Sequence, residues 1–352
     1  MKEFFTKLNE EFDLSSSNLH NYDMVKDDIF NELKIFFKNH DVLRDVISFD
    51  VIFNEYNTVK NVFTNCNFSI KLLHNLINYF NEAKNVSEDK IFKILGKNSI
   101  YITKGINNYS EIAILEQQKN IERLDLFSKI CFKESADLIE GSIQPFIDLL
   151  YETHCLINFK NINPKTSFGS KINELIESNK SFVPLLTLPI EKNIGINITQ
   201  LRNIAYHNSY IINDDKIICC YSNNKTFSLE KNDLLSIILF IHKIYMILKI
   251  SHTFFTMDNI YSVRQHFNKN IKITEDTINI TVSEFSHLHG FKIEKIKKGN
   301  IYEVKLLEIK RYENFNNNLN QLVLKIATFL NKETVFDITP IFDKPKIKLR
   351  VK

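Results

Sequence analysis

The sequence predicts a mainly α-helical protein with a small α+β domain at its C-terminal end. Two observations indicate this fold class. Apolar residues recur at helical spacing through much of residues 1–256, whereas short strand-like runs alternate with helical patterns after residue 260. The chain has 352 residues, of which 44% are hydrophobic, and this is enough for two or three domains with buried cores.

Residues 1–108 are predicted to form a helical N-terminal region. Lys26 to Asn39 and Ser69 to Phe80 both place apolar residues near helical spacing. Ser87 is suited to cap the next helix, because two acidic residues that complement the helix dipole follow it. This region contains no recognisable catalytic arrangement, so we expect it to sense a signal or to pack on the rest of the protein.

Residues 109–256 are predicted to form a helical bundle with a β-hairpin insert. Its first part is a long helical stretch from Ser110 toward Ile157, which Gly141 and Pro145 are expected to kink or break. Two strand-like segments, Lys216 to Tyr221 and Thr226 to Leu229, predict the β-hairpin.

A helix from about Glu230 to Phe255 is predicted to close the bundle. Its most apolar run, Leu234 to Ile250, is interrupted by serine, histidine and lysine, which favours a buried bundle helix over a transmembrane one. The first residues of the chain lack the pattern of a signal peptide. The sequence therefore predicts a cytoplasmic protein with no membrane contact.

Residues 257–352 are predicted to form a small α+β domain. In its last strand, Lys346, Lys348 and Arg350 share one face. This basic face could contact an RNA backbone, or its lysines could simply block unwanted pairing at a sheet edge. The predicted strands are Asn270–Ile273, Phe291–Ile296, Ile301–Leu307, Thr334–Ile338 and Lys346–Val351, and the predicted helices are Val282–His289 and Phe315–Leu330.

The most informative segment is Leu201 to Ser209. On a helix, Arg202, Asn203, Tyr206 and His207 fall within an arc of roughly 140°. The apolar residues fall on the opposite side, which gives the helix an apolar back and a polar front. The apolar residues are Leu201, Ile204 and Ala205.

This polar front suits RNA cleavage without a metal ion. His207 is suited to proton transfer because imidazole titrates near neutral pH. Arg202 is suited to binding phosphate, since its guanidinium is always charged and binds oxygens bidentately. Asn203 could orient the imidazole or hold a phosphate oxygen. Tyr206 could stack on a base, or pack within the protein or at a dimer interface.

The segment resembles the signature of the HEPN superfamily, in which an arginine and a polar residue precede a histidine. Here the match is Arg202, Asn203 and His207, with four residues between the arginine and the histidine. The resemblance covers roughly residues 110–256. It implies an all-helical bundle and, for many members, metal-independent ribonuclease activity in phage abortive infection, CRISPR-associated or toxin–antitoxin systems.

The resemblance also implies an arrangement of subunits. One motif supplies one histidine, and HEPN ribonucleases typically dimerise so that two motifs face each other. We therefore expect a homodimer that cleaves RNA by attack of the 2′-OH, with no cofactor and no metal, and with an antitoxin or a phage-derived activator as a further partner. The alternatives are a non-catalytic HEPN-like module that binds RNA or nucleotides, and the toxin of a toxin–antitoxin pair.

Other candidate residues carry weaker signals. Glu134, Asp137 and Glu140 could supply an acidic partner from an earlier helix, but a solvated helix face is clearly the favoured interpretation. His287 and His289 form a His-x-His pair without a third ligand, which does not indicate a metal site. The five cysteines show no C-x-x-C spacing, the seven glycines form no phosphate loop, and the net charge is only +3.

Overall fold

The structure is a computed structural model that contains two compact units. The described part of one unit lies within Asp23–Asn270, and that of the other, apart from Tyr22, lies within Ile271–Lys352. Each has its own hydrophobic core. The structure describes residues 22–47, 50–63, 67–116, 123–190, 195–222, 225–266, 291–297, 299, 301–308, 319, 322–323, 326–327, 334–340 and 347–351.

The first unit is a helical bundle, which confirms the mainly α-helical prediction. Two π-helical turns, Val59–Phe63 and Ile139–Ile143, and one 3₁₀ turn, Lys180–Phe182, lie between its helices. The helices are α1 (Tyr22–Leu33), α2 (His40–Val46), α3 (Asp50–Thr58), α4 (Asn67–Val86), α5 (Glu88–Glu116), α6 (Leu124–Leu138), α7 (Gln144–Ile157), α8 (Phe168–Ser178), α9 (Val183–Leu186), α10 (Ile198–Tyr206), α11 (Lys231–Asp258) and α12 (Ile260–Val263).

Helix α11 forms the centre of this bundle, as its apolar sequence predicts. It packs against α2, α4 and α6, and most of its residues from Leu234 onward are buried. By length and composition α11 could also span a membrane, but 67% of its most apolar 18-residue window is buried inside the protein. Such burial is typical of the core helix of a soluble protein.

Helix α5 differs from the prediction. Its 29 residues run through the predicted domain boundary at residues 108/109, and one hydrophobic core continues on both sides of that boundary. Ser110, which the sequence suggested as a helix start, lies inside α5, and the next helix begins at Leu124. A serine that caps a helix has a non-helical backbone itself, and here Ser110 is helical.

The π-helical turn at Ile139–Ile143 joins α6 to α7 without a loop. Pro145 has no backbone N–H to donate to the carbonyl of Gly141, so a regular α-helix is disfavoured at this point. Asn108 of α5 fills the irregularity, because its Nδ2 donates to the Asp137 carbonyl at 3.3 Å and to Ser142 Oγ at 3.0 Å. The proline therefore changes the helical geometry locally, and the chain direction continues.

A three-stranded antiparallel sheet follows α10, with the order β1 (Tyr210–Asn213), β2 (Lys216–Tyr221) and β3 (Lys225–Leu229). The pairing of β2 with β3 confirms the predicted hairpin. Strand β1 was not predicted. It is joined to β2 by a two-residue connection in which Asp214 has a φ of 52°, a conformation that asparagine and aspartate tolerate better than most residues.

The second unit is built on a four-stranded sheet with the order β4 (Phe291–Lys297), β5 (Tyr302–Glu308), β6 (Thr334–Thr339) and β7 (Ile347–Val351). Strands β5 and β6 are parallel, and the other two pairs are antiparallel. Four of the five predicted strands are therefore present. Leu319, Leu322, Val323 and Ile326, from the predicted helix Phe315–Leu330, are helical and buried. The predicted segments Asn270–Ile273 and Val282–His289 lie outside the described residues.

Candidate functional site

Helix α10 carries the Arg202–His207 segment and begins with a capping box. The Asn197 side chain accepts hydrogen bonds from the backbone N–H groups of Thr199 and Gln200, at 3.0 and 3.2 Å. The Gln200 side chain accepts in return from the Asn197 N–H at 2.9 Å. Asn197 is the N-cap of α10, because its short side chain reaches the unpaired N–H groups of the first turn.

The predicted apolar back of α10 is buried. Leu201, Ile204 and Ala205 all lie in the core of the first unit, where α10 packs against α6. Arg202 is half-buried, whereas Asn203, Tyr206 and His207 are exposed. The burial of one face therefore fixes the rotation of the helix and turns the motif side chains outward.

The C-terminal end of α10 determines where His207 lies. The Ser209 N–H donates to the Ile204 carbonyl at 2.9 Å, and the Asn208 N–H donates to the Ala205 carbonyl at 3.4 Å. Asn208 has a φ of 48°, so these bonds form a Schellman motif with asparagine in the left-handed position. His207 is therefore the C-cap residue just beyond α10, rather than a member of its last turn.

Arg202 is held by a carboxylate that lies 62 positions earlier in the chain. Its Nε donates to Glu140 Oε1 at 2.7 Å, and its Nη2 donates to the same oxygen. Its Nη1 donates to Asn203 Oδ1 at 3.0 Å. The hydroxyl of Tyr206 donates to Glu140 Oε2, and the Arg202 guanidinium lies 5.2 Å from the centre of the Tyr206 ring. The four side chains thus form one connected polar cluster.

The cluster fixes the charge state of two of its members. Burial alone would raise the pKa of Glu140, but hydrogen bonds from Tyr206 and Arg202 outweigh it and lower that pKa below its ordinary value of 4.5. The hydrogen bond to Glu140, together with burial, raises the pKa of Tyr206 to about 12. At neutral pH the carboxylate is therefore ionised and the phenol is protonated.

The π-helical turn is what presents Glu140 to α10. Glu140 is the second residue of that turn, and Asn108 and Gly105 of α5 pack against its next residues, Gly141 and Ser142. A Cβ at Gly105 would lie 3.1 Å from the Ser142 carbonyl oxygen, so α5 approaches the turn closely. Single π-helical turns inside helices are frequent at functional sites, because they change the direction of the side chains they carry.

The structure brings together some of the predicted site residues and not others. Arg202, Asn203 and Tyr206 meet at one cluster, and His207 follows it at the helix end, where its imidazole has no hydrogen-bond partner among the described residues. Lys348 and Arg350 are exposed on the edge strand β7 of the second unit. The third basic residue of that predicted face, Lys346, lies outside the described residues.

Local sequence patterns do not reveal the role of Glu140. Its helical neighbours suggested a solvated acidic face, and no local spacing links it to Arg202. Glu140 lies near the polar front of α10 because α6, which leads into the π-helical turn, packs against α10. Asp137, one turn earlier, contributes to the raised pKa of Tyr206 through its charge, but it is not a hydrogen-bond partner in this cluster.

Elsewhere in the first unit the titratable groups are mainly structural. The part of the chain that the structure describes contains no group of three histidine, cysteine or acidic side chains that could hold a metal ion. The four cysteines within it are free thiols, and Cys219 and Cys220 point to opposite faces of β2. His154 is buried and lies within hydrogen-bond distance of Tyr79 and Asn158.

No protein-family model matches this chain, and no curated protein or solved structure is significantly similar to it.

Proposed function

We propose that this protein is a metal-independent endoribonuclease of the HEPN type that cleaves RNA by attack of the 2′-OH. One observation carries the proposal. Arg202 is fixed by Glu140 and Asn203 on the outward face of α10, and a Schellman motif fixes His207 immediately after the same helix. A fixed cation and an exposed imidazole carried by the same helix end could supply the charge stabilisation and the proton transfer that phosphoryl transfer without a metal requires.

Arg202 keeps donors for phosphate in this arrangement. A guanidinium has five N–H donors. Three of them are used by the contacts to Glu140 and Asn203, so two remain, one on each Nη nitrogen. These two N–H groups could donate to the oxygens of a phosphate. In this proposal Glu140 orients Arg202 and does not take part in proton transfer.

His207 is suited to the proton transfers, because its ring is exposed and no described residue occupies either nitrogen. Cleavage needs a base at the 2′-OH and an acid at the leaving 5′-oxygen, on opposite sides of the phosphate. We propose that a second copy of the chain supplies the second histidine in an isologous homodimer. The exposed ring of Tyr206, next to the cluster, would then stack on a base or contact the second copy.

The biological setting is proposed from the HEPN resemblance and from the architecture. A helical bundle with an additional α+β unit in one chain is more elaborate than a minimal toxin. We propose a cytoplasmic effector of phage defence that acts by abortive infection and responds to a phage-derived activator. The alternative is a toxin controlled by an antitoxin. An antitoxin gene beside this one would favour that alternative.

The test is RNA cleavage by purified protein in the presence of EDTA. Wild type is expected to cleave and to leave 2′,3′-cyclic phosphate ends, whereas His207→Ala is expected to be inactive. His40→Ala, which removes another exposed histidine of the first unit, is the matched control and should cleave like wild type. Cleavage that survives His207→Ala, or that requires Mg²⁺, would contradict the mechanism.

A second function, RNA binding without cleavage, is favoured by one observation. Arg202 keeps two N–H donors for phosphate, whereas no described residue bonds to the His207 imidazole and orients it for proton transfer. If wild type and His207→Ala bind single-stranded RNA equally well and neither cleaves it, this second function replaces the first.

A further inference from the structure

A second site is indicated at the opposite end of α7. A cavity of about 500 Å³ lies between the α4–α5 corner, the C-terminal end of α7 and the segment that follows α7. Its size falls in the range of small-molecule sites. Leu156 in its wall lies 16 residues after Glu140 along nearly continuous helix, which corresponds to about 24 Å. The cavity is therefore separate from the Arg202 cluster.

Phe159, which lines this cavity, has a strained backbone conformation. Helix α7 ends in a Schellman motif, in which the Lys160 N–H donates to the Cys155 carbonyl at 2.8 Å and the Phe159 N–H donates to the Leu156 carbonyl at 3.3 Å. Phe159 occupies the left-handed position with a φ of 54°, where glycine or asparagine is usual and a bulky side chain is strained.

The ring of Phe159 is also 86% exposed, so it gains almost nothing from burial. A strained backbone and a solvated aromatic ring thus coincide at one residue, and that residue lines a cavity. An exposed aromatic ring beside a cavity of this size provides a flat apolar surface for another flat ring.

The cavity wall is positively charged. Lys90, Lys93 and Lys160 line it, and all three are exposed. Lys93 is paired with Asp89 and Lys160 with Glu174. Both lysines are exposed, so each can leave its carboxylate for a ligand at modest cost.

The carboxylate in the wall, Glu152, does not cancel this charge. It is buried and accepts hydrogen bonds from Lys97 Nζ at 2.6 Å and from Asn98 Nδ2 at 3.1 Å. Because Lys97 is not among the lining residues, it neutralises Glu152 from outside and leaves the amines of the wall in excess.

We propose that this cavity binds a nucleotide, with its base on Phe159 and its phosphate on Lys90 and Lys160. An aromatic ring combined with amines is the arrangement by which proteins bind nucleotides irrespective of base identity. An acidic peptide would satisfy the lysines but would make no use of the exposed ring. The nucleotide is either free or part of a single-stranded RNA, and the two sources share this chemistry.

The test uses the full chain with two probes, ATP and a fluorescent 2′-O-methyl RNA pentamer. The pentamer has no free 2′-OH for attack, so its binding can be measured whether or not the protein is a ribonuclease. Wild type is expected to bind the pentamer. Displacement of the pentamer by ATP identifies a free nucleotide as the ligand, and binding without displacement identifies an RNA strand.

The decisive variant is Phe159→Gly. Glycine relieves the left-handed backbone, so this variant should melt about 2 °C above wild type, while its affinity for the probes should fall roughly tenfold. Lys90→Glu should weaken binding similarly. Tyr101→Ala and Lys104→Glu, which change an exposed aromatic residue and an exposed lysine of α5 outside the cavity, should bind like wild type.

Three results would overturn the proposal. The first is that wild type binds neither probe. The second is that Phe159→Gly and Lys90→Glu bind as well as wild type. The third is that a polyglutamate peptide binds more tightly than either probe and that the same variants abolish its binding.

Discussion

Glu140 accepts two hydrogen bonds from the guanidinium of Arg202, although the two residues are 62 positions apart and belong to different helical segments. Both side chains are about one-third exposed, at 32% and 30%. A pair of this kind contributes little to stability when it is so accessible. Its consequence is geometric, because it fixes the guanidinium through Nε and Nη2, while one N–H on each Nη nitrogen stays free for a ligand.

Replacing Glu140 should therefore affect catalysis more than folding. We expect Glu140→Gln to lower kcat for RNA cleavage roughly tenfold, since a charged hydrogen bond worth about 1.5 kcal/mol no longer orients Arg202. KM should change less, because the free donors of Arg202 remain. Steady-state kinetics and thermal melting measure the two effects separately.

Glu177→Gln is the matched control for this substitution, since Glu177 is an exposed glutamate on α8. A large fall in melting temperature for Glu140→Gln, with unchanged kcat, would show that Glu140 has only a structural role. A rise in kcat would show that Glu140 competes with phosphate for Arg202.

The left-handed residue after α10 gives a second prediction. Asn208→Gly should be neutral or slightly stabilising, because glycine adopts a φ of 48° without strain. Asn208→Val should cost about 1–2 kcal/mol, since a β-branched residue is disfavoured there. Urea unfolding of the two variants checks the difference, and RNA cleavage should fall in Asn208→Val because His207 directly precedes this position. Equal stability of the two variants would mean that the Schellman motif does not constrain the helix end.

A third prediction concerns the π-helical turn. A Cβ at Gly141 would lie 2.2 Å from Asn108 Nδ2, so Gly141→Ala must displace the Asn108 side chain from the Asp137 carbonyl and Ser142 Oγ. We expect a loss of about 1–3 kcal/mol in the free energy of unfolding, because polar groups lose their partner.

The same contact predicts non-additivity. Once Asn108→Ala has removed the obstructing side chain, adding Gly141→Ala should cost little more, so the double variant should be more stable than the sum of the single effects predicts. A double-mutant cycle by urea unfolding measures this coupling. Additive effects would show that Asn108 does not support the turn.

Local sequence patterns were sufficient for the features that depend on neighbouring residues. The buried face of α10, the central helix α11 and the strands β2 to β7 all follow from periodicity within a few residues. The cap at Asn197 and the helix end at Asn208 follow from short polar residues at the right positions.

Other features depend on tertiary packing, which periodicity does not report. Glu140 meets Arg202 because α6 packs against α10, and no spacing in the sequence encodes that contact. Ser110 resembles a helix start, yet burial on both sides of it keeps α5 continuous. Strand β1 has only four residues, so its pairing with β2 decides its conformation more than its own propensity does.

The last prediction concerns how the free energy of unfolding changes at acidic pH. His252 lies on α11, where its ring packs edge-on against Phe146 at 5.9 Å and its buried Nε2 has no hydrogen-bond partner among the described residues. Burial lowers the pKa of His252 from 6.5 to about 4. The unfolded chain therefore binds a proton at this residue at a higher pH than the folded protein does.

This difference in pKa makes folding depend on pH with a definite sign. The full stability is present above pH 6.5 and is lost progressively as the pH falls toward about 4, because only the unfolded state takes up the proton in that interval. His252→Leu removes the group, so its free energy of unfolding should fall less than that of wild type over the same interval. Urea unfolding at several pH values measures both slopes, with His207→Ala as a control that removes an exposed histidine. Parallel slopes for wild type and His252→Leu would mean that His252 takes up its proton equally well in the folded protein.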